Sequence, residues 1–345
     1  MTVVTPGHVT FAATALSSLW KQPTLVEATH TEETAMKILL AGGSGVLGQQ
    51  VREVLTADGH QVSGLGRGPA NEVRADLLDR DAVLRAVDGL EFDAVVHAAT
   101  ALSGKSMARH QDMAATNALR VDGTPHLIEA ARATGARRFV SESMMFGYGY
   151  GDHGGVTVTE SGTPFGPRGT SAWLERHVGA MRTKEELTLG SDGIEGIALR
   201  FGLFHGAGVT DTTLLPLLRK RSLPVVAERG LQLSWVSVPD AAAAVAAAIR
   251  AGRPGEAYNI VDNDPLSFSA HVRAVAEAFG APKPMTVPLW LLRATPLAHT
   301  IFSTDLRLSN AKAKAELDWT PSRASVLDAV RALASEQRAA DRAAA

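Results

Sequence analysis

The chain has no cysteine and only three tyrosines, Tyr148, Tyr150 and Tyr258. Without cysteine there is no disulfide framework, no thiolate metal ligand and no cysteine nucleophile. No run of about 18 apolar residues occurs, so no segment reads as a membrane-crossing helix. An excess of one charge is missing too. The 34 basic and 36 acidic side chains leave a net −2, which provides no basic footprint for nucleic acid or an anionic membrane. The HExxH zinc signature, the GxSxG nucleophile elbow and a lysine-bearing phosphate loop are absent. His153, His177, His205 and His271 lack the pair spacing of a metal site. What is present is ordinary for a globular protein: 345 residues, 45% hydrophobic and 20% charged, long enough to bury a substantial core. The expectation is a cytoplasmic protein with a small-molecule ligand.

Residues 1–35 have no strand–turn–helix logic and read as an extension of the fold. Their apolar patch lacks the basic flank and cleavage site of a secretory signal. Phe11, Leu16, Leu19 and Trp20 would let it pack as an arm. From Met36 onward, short apolar runs alternate with helical patterns. Strands are expected at Lys37 to Ala41, His60 to Gly66, Phe92 to Ala99, Arg138 to Ser143, Glu195 to Phe201, Leu231 to Val238 and Tyr258 to Val261. Helices are expected at Val46 to Asp58, Asp79 to Val87, Ala115 to Thr134 and Ala172 to Leu189, with a further Ala-rich helix capped by Asp240. This alternation predicts an α/β, doubly wound parallel sheet. The expected division is a core over 36–202, a smaller interleaved C-terminal lobe over 203–332, and a frayed helical tail over 333–345.

The most specific local signal is Gly42-Gly43-Ser44-Gly45-Val46-Leu47-Gly48, which follows a strand and opens a helix. Gly42 permits the tight turn, Gly45 lets backbone approach a pyrophosphate, and Gly48 allows close packing of the helix. The helix N-terminus offers free N–H groups to the phosphates. An NAD site places a carboxylate at the end of the second strand for the ribose hydroxyl. Here that stretch is Ser63-Gly64-Leu65-Gly66-Arg67, without an acid, and Arg67 stands where a guanidinium can clamp a 2′-phosphate. NADP(H) is therefore expected over NAD(H), with Arg67 as a plain solvated charge the alternative.

Further motifs follow in order: Asp76-Leu77, His97-Ala98-Ala99-Thr100, Asn117 ahead of Gly123-Thr124, Arg137-Arg138-Phe139-Val140, Arg200-Phe201-Gly202, Trp235 to Asp240, Tyr258-Asn259-Ile260-Val261 and Leu317-Asp318-Trp319-Thr320-Pro321. With the glycine loop, this set resembles the extended short-chain dehydrogenase/reductases, the NAD-dependent epimerase/dehydratase family, from Met36 to about Ala332. The resemblance implies a Rossmann-type sheet whose C-terminal lobe holds the substrate. It implies cofactor contacts from Gly42, Ser44, Gly45, Val46, Leu47, Gly48, Arg67, Asp76, Leu77, Ala98, Ala99, Thr100, Asn117, Ser141, Arg200 and Phe201. It also implies a homodimer through the helices Ala115 to Thr134 and Ala172 to Leu189. Asp76 has an alternative reading as a helix cap.

The catalytic pattern of that family, Ser/Thr with Tyr-x-x-x-Lys on one helix face, is not met. No tyrosine begins such a motif. In the helix SAWLERHVGAMRTKEEL, aligning Glu185 with the family's Glu puts His177 in the Tyr slot and Met181 in the Lys slot. Aligning Glu186 instead gives Val178 and Arg182. Ser141-Glu142-Ser143-Met144 replaces the usual serine run, with Ser143 the expected survivor. Candidate proton donors are Ser143, Tyr148, Tyr150 and His177. The tyrosines have pocket lining as an alternative, and His177 has an exposed position on its helix. Three functions stay open: an atypical reductase or epimerase, a redox-neutral isomerase, dehydratase or cyclase, and a non-catalytic NADP-binding sensor. Phe204, His205 and Thr210 to Leu215 add to an apolar, aromatic lining. That lining favours a hydrophobic specialised metabolite, a carbonyl or alcohol, over a nucleotide sugar.

Overall fold

Ile38, Leu39, Leu40 and Ala41 are all fully buried, and they alternate between two core clusters on opposite sides of one sheet. A strand that is apolar on both faces must be covered on both faces, which is the reason for the doubly wound layering. The structure, a computed structural model, describes residues 1–2, 35–102, 109–227, 229–323 and 325–344. The arm expected through Phe11, Leu16, Leu19 and Trp20 lies outside the described residues. In chain order the first half is β1 (Lys37–Ala41), α1 (Val46–Ala57), β2 (Gln61–Gly66), β3 (Val73–Arg74), α2 (Arg80–Val87), β4 (Ala94–His97), α3 (Ala114–Ala118), α4 (Thr124–Ala133), β5 (Arg138–Met144), β6 (Asp152–Val158), α5 (Ala172–Gly190) and β7 (Glu195–Phe201). The second half is β8 (Leu203–His205), α6 (Leu215–Arg219), β9 (Val225–Val226), β10 (Trp235–Ser237), α7 (Val238–Ala251), β11 (Glu256–Ile260), α8 (Phe268–Ala278), β12 (Thr286–Val287), α9 (Pro296–Phe302), β13 (Asp305–Leu308), α10 (Ala311–Leu317) and α11 (Val326–Ala344).

Seven parallel strands form the main sheet in the order β11-β7-β5-β4-β1-β2-β3. Its register sets the ends of β1, β4 and β5 side by side, with Ala41 opposite His97 and His97 opposite Ser141. That edge, at the carboxyl ends of the strands, is where such sheets bind ligands. Helix α7 packs on α1, and its alanines allow the close approach: Ala241, Ala244 and Ala248 are fully buried.

Three expectations are corrected. The single helix over 115–134 is interrupted by a π-helical turn, Leu119–Gly123, between α3 and α4. Pro125 has no N–H to return to the Val121 carbonyl, so the ladder widens there. The strand over 231–238 shortens to β10 and pairs with β8 outside the main sheet. Gly202 lets β8 leave β7 at close range, since a Cβ there would lie 2.7 Å from the Ser234 carbonyl oxygen. The cap of α7 is Ser237, whose hydroxyl accepts the Asp240 N–H and donates to the Asp240 carboxylate. Asp240 sits inside the first turn as the reciprocal partner, not at the cap.

Candidate functional site

The glycine loop is shaped by contacts that a side chain would destroy. Gly42 has φ +92°, and a Cβ on it would sit 2.6 Å from the Ala98 carbonyl carbon. A Cβ on Gly48 would collide with the Gly42 carbonyl oxygen. At Gly45, the N-cap of α1, a Cβ would meet only the Gly42 oxygen at 3.4 Å, and no side chain caps the helix. No acidic residue stands in the first turn of α1. The N–H groups opened by Ser44, Val46 and Leu47 therefore face a site that favours an anion, which fits a pyrophosphate.

At the far end of β2, Arg67 is 79% exposed and pairs with Asp76 at 3.7 Å. Asp79, not Asp76, caps α2 by accepting the Ala82 N–H, while the Asp76 carboxylate accepts the Leu78 N–H at 3.1 Å. Leu77 is buried beneath it, with its carbonyl bonded to the His126 ring at 2.8 Å. Sequence reasoning missed one acid in this region. Glu72 reaches back to accept the Gly64 N–H at 2.6 Å, and its oxygens also take both Arg52 terminal nitrogens. Arg52 brings its carboxyl down to about 2. Ala98, Ala99 and Thr100 follow β4 at the mouth of the loop. The residues present fit a dinucleotide along this edge.

His177 is 1% exposed, not on a solvated helix face. Ser171 caps α5 by accepting the Leu174 N–H, which sets the helix phase that turns His177 inward. Both ring nitrogens are engaged: Nδ1 with the Asn117 side-chain nitrogen at 3.0 Å and Nε2 with His110 Nδ1 at 3.1 Å. The chain of donors fixes the tautomers. Arg120 can only donate, and its Nη1 lies 3.5 Å from Asn117 Oδ1. The Asn117 amide must then donate to His177 Nδ1, so neutral His177 carries its proton on Nε2 and gives it to His110 Nδ1. His110 in turn carries its own on Nε2. Burial, with His110, Arg120 and Arg176 nearby, pushes the His177 pKa down to about 4. Met181, one turn on, is buried in an apolar cluster with Met145, Phe146, Tyr148 and Val178.

Two of the other expected donors, Ser143 and Tyr148, are committed elsewhere. The Ser143 hydroxyl donates to Glu185 at 3.0 Å, and Glu185 holds Arg200 through both carboxylate oxygens. Arg200 donates to the Tyr148 hydroxyl at 2.6 Å, which donates onward to Asn259 Oδ1 at 2.9 Å. The Arg200 guanidinium also lies over the rings of Phe165 and Tyr148, at 4.1 and 4.9 Å. Burial pushes both Tyr148 and Tyr150 up to about 12. Tyr150 stacks on Phe146 at 4.7 Å and meets the edge of His177 at 6.5 Å. Phe201 is fully buried in the core, and the Ser141 hydroxyl turns back to the Glu142 carbonyl. His205 is buried and holds Asp262 at 2.8 Å.

Beside Asn117 lies a buried ionic group that sequence reasoning missed. Lys184 bonds Glu142 at 3.0 Å, and Arg120 approaches the same carboxylate at 3.9 Å. All three are at most 5% exposed. Burial alone would raise the Glu142 carboxyl, but the two cations outweigh it and hold it below its ordinary value. The available signal was a glutamate inside the apolar strand RFVSESM. Among the described residues, no group of three or more His, Asp or Glu side chains is arranged to hold a metal ion, and no helix is long and apolar enough to cross a membrane.

The sheet, the glycine loop and the carboxyl-edge site define an NAD(P)-dependent enzyme of the short-chain dehydrogenase/reductase type. The NAD dependent epimerase/dehydratase family model matches residues 38–261, and the chain belongs to that family. It is 34% identical over 308 residues to a 3-diazoavenalumate denitrifying reductase of a Streptomyces species, covering 85% of this chain and 98% of that one. It is 30% identical over 267 residues to the 2-alkyl-3-oxoalkanoate reductase of Stenotrophomonas maltophilia, covering 72% and 77%. In fold it resembles a human epimerase family protein solved with NADPH, at TM-score 0.72 and 18% identity, over 87% of this chain and 99% of that one. The UDP-glucose 4-epimerase of Thermus thermophilus, solved with NAD, matches at TM-score 0.67 and 24% identity, over 88% and 100%.

Proposed function

We propose that this protein is an NADP(H)-dependent reductase that delivers hydride to a small electron-poor substrate without protonating it from the Tyr slot. The observation that carries the reading is the state of His177: neutral, buried and engaged at both nitrogens. Met181 stands where the family's lysine would lower a proton donor's pKa. Reduction of a ketone develops an alkoxide that needs a matched acid. The hydroxyls of Ser143 and Tyr148 are already donated to Glu185 and Asn259, and burial pushes Tyr150 up to about 12, far from a matched acid.

An arenediazonium carbon removes that need, because the cation and hydride sum to a neutral arene and dinitrogen, and the relative named 3-diazoavenalumate denitrifying reductase supports this substrate class. When bound, the reduced nicotinamide supplies a hydride that forms the new C–H bond, while the C–N bond breaks with its electron pair leaving on dinitrogen and NADPH ends as NADP⁺. The chain's part is to hold the cofactor through Gly42, Gly45, Gly48, Arg67 and Asp76, and to keep an acid away from the reacting carbon. The exposed Arg67 and the lack of an acid after Leu65 support NADP(H) over NAD(H).

The test is turnover of a hydroxyarenediazonium salt with NADPH deuterated at C4. The expected result is enzyme-dependent loss of reduced-nicotinamide absorbance, release of dinitrogen and one deuterium on the product ring. Faster turnover of an apolar ketone than of the diazo compound overturns the reading. So does substrate conversion with no net NADPH loss, the mark of a redox-neutral enzyme, or cofactor binding with no turnover, the mark of a sensor.

A further inference from the structure

Two stretches of the dinucleotide edge, Asp76-Leu77 and Ala98-Ala99, share one apolar cluster through Leu77 and Ala99. Both are held from the same side. His97 Nδ1 accepts the Ala99 N–H at 3.4 Å, and burial keeps the ring neutral. Its proton is therefore on Nε2, which lies 3.2 Å from Thr124 Oγ1. Thr116 Oγ1 accepts the Ala101 N–H at 3.1 Å. On the other stretch, His126 Nδ1 lies 2.8 Å from the Leu77 carbonyl oxygen. A carbonyl can only accept, so His126 carries a proton on Nδ1 whether the ring is neutral or charged.

Thr116, Thr124 and His126 bracket the π-helical turn Leu119–Gly123. Such a turn takes in one extra residue and shifts the phase of everything after it. Here it brings Gly123 against Leu77, where a Cβ would stand 3.6 Å from the Leu77 Cβ. The Asp76 carboxylate, 43% exposed, gives Oδ1 to the Leu78 N–H, while Oδ2 pairs with Arg67 at 3.7 Å. A 2′-phosphate that draws Arg67 away leaves Oδ2 free to accept a hydrogen bond.

We propose that His126 is a positioning residue for the adenine of the cofactor. By holding the Leu77 carbonyl it fixes the turn Asp76-Leu77-Leu78, so that Asp76 Oδ2 accepts the amino group of the purine. The proposal rests on the dinucleotide reading of this edge and adds to it the residue that sets discrimination of the base. Glu129, one turn after His126, pairs with Arg80 of α2. The His126 contact thus lies inside the chain, on the side of α4 turned to α2, and needs no open surface.

The experiment compares the dissociation constants of NADPH and its hypoxanthine analogue, in which oxygen replaces the amino group, by nicotinamide fluorescence on the full chain. The wild-type protein is expected to prefer NADPH by about 10-fold, the worth of one charge-assisted hydrogen bond. His126→Leu, which has no donor, is expected to cut that preference to about 3-fold or less. His126→Asn, whose amide nitrogen can stand in for Nδ1, is expected to keep it. Should His126→Leu fail to fold, His126→Ala carries the test with the same expectation. Ring-¹⁵N NMR is expected to show wild-type His126 protonated on Nδ1. A merely structural role for His126 weakens both cofactors alike and leaves their ratio unchanged. An unchanged ratio in His126→Leu, an equal drop in His126→Asn, or a bare Nδ1 overturns the proposal. Binding of both cofactors by the wild-type protein without preference overturns it too. No NADPH binding by the wild-type protein overturns the dinucleotide reading, and this proposal with it.

Discussion

Replacing Asn117 by aspartate reverses one hydrogen bond and makes the tautomer argument measurable. In the wild-type protein the Asn117 amide donates to His177 Nδ1 at 3.0 Å, so a proton arriving there would face another donor. Burial and the neighbouring cations already push His177 from 6.5 down to about 4. The sign of the linkage follows. Above its ordinary pKa, His177 is neutral in both folded and unfolded chains and carries no penalty. As pH falls below that value the unfolded chain takes a proton that the folded chain refuses, so stability is lost on acidification. Between pH 6.5 and 5 this amounts to about 1.5 kcal/mol for a folded pKa near 4. In Asn117→Asp a carboxylate accepts from His177 Nδ1, and an opposite charge at such range raises a pKa by about 1–3 units. The loss over the same pH interval then shrinks to about 0.5 kcal/mol. Urea melts of both proteins at the two pH values give the difference of slopes, in which the other buried histidines cancel. Ring-¹⁵N NMR should show His177 protonated on Nε2 in the wild type and on Nδ1, or on both, in the variant. Equal pH slopes, or a wild-type His177 protonated on Nδ1, would refute the reasoning.

Arg67→Ala should weaken NADPH binding by about 10- to 100-fold, the worth of a charged hydrogen bond to phosphate, and leave NADH nearly unchanged. Fluorescence titration with both cofactors checks it, and an equal loss for the two would place Arg67 outside the 2′-phosphate site. Gly48→Ala drives a methyl into the Gly42 carbonyl, so a loss of cofactor affinity of at least ~10-fold is expected with it, as the loop is forced off the helix N-terminus. Glu185→Gln strips the Arg200 guanidinium of its buried partner and should cost about 3–5 kcal/mol in a denaturant melt. Ser143→Ala, which removes one neutral donor from the same carboxylate, should cost about 1–2 kcal/mol.

The cofactor half of the site was legible because its chemistry is local. Gly42, Gly45 and Gly48 follow a buried strand directly, and their spacing alone specifies a turn, an open face and a close contact. Arg67 and Asp76, expected from their distance along the chain after β2, meet as an exposed ion pair. The catalytic half was not legible, because its partners come from four separated segments. Nothing in the order of residues indicates that His110, Asn117 and His177 share protons, or that Ser143 is spent on Glu185. Arg120, Glu142 and Lys184 were overlooked for a related reason. A charged residue on a helix is ordinarily at the surface, and only the meeting of β5, the π-helical turn and α5 buries these three together. The π-helical turn itself follows from Pro125, whose effect on a helix pattern reads as a start signal and not as a break within one.

The missing Tyr-Lys pair and the added buried charges point the same way. A lysine at position 181, where the Glu185 register puts the family's lysine, would bury an ammonium in the apolar cluster of Met145, Phe146 and Val178. Positive charge near Asn117 and His177 comes from Arg120, which shares the Glu142 carboxylate with Lys184. Such charges favour negative charge on a nearby group. A ketone reduced here would leave its alkoxide waiting for a proton from water, whereas a carbon that expels dinitrogen asks for none. On the proposed reading, hydride transfer without an acid suits substrates whose own leaving group completes the reaction.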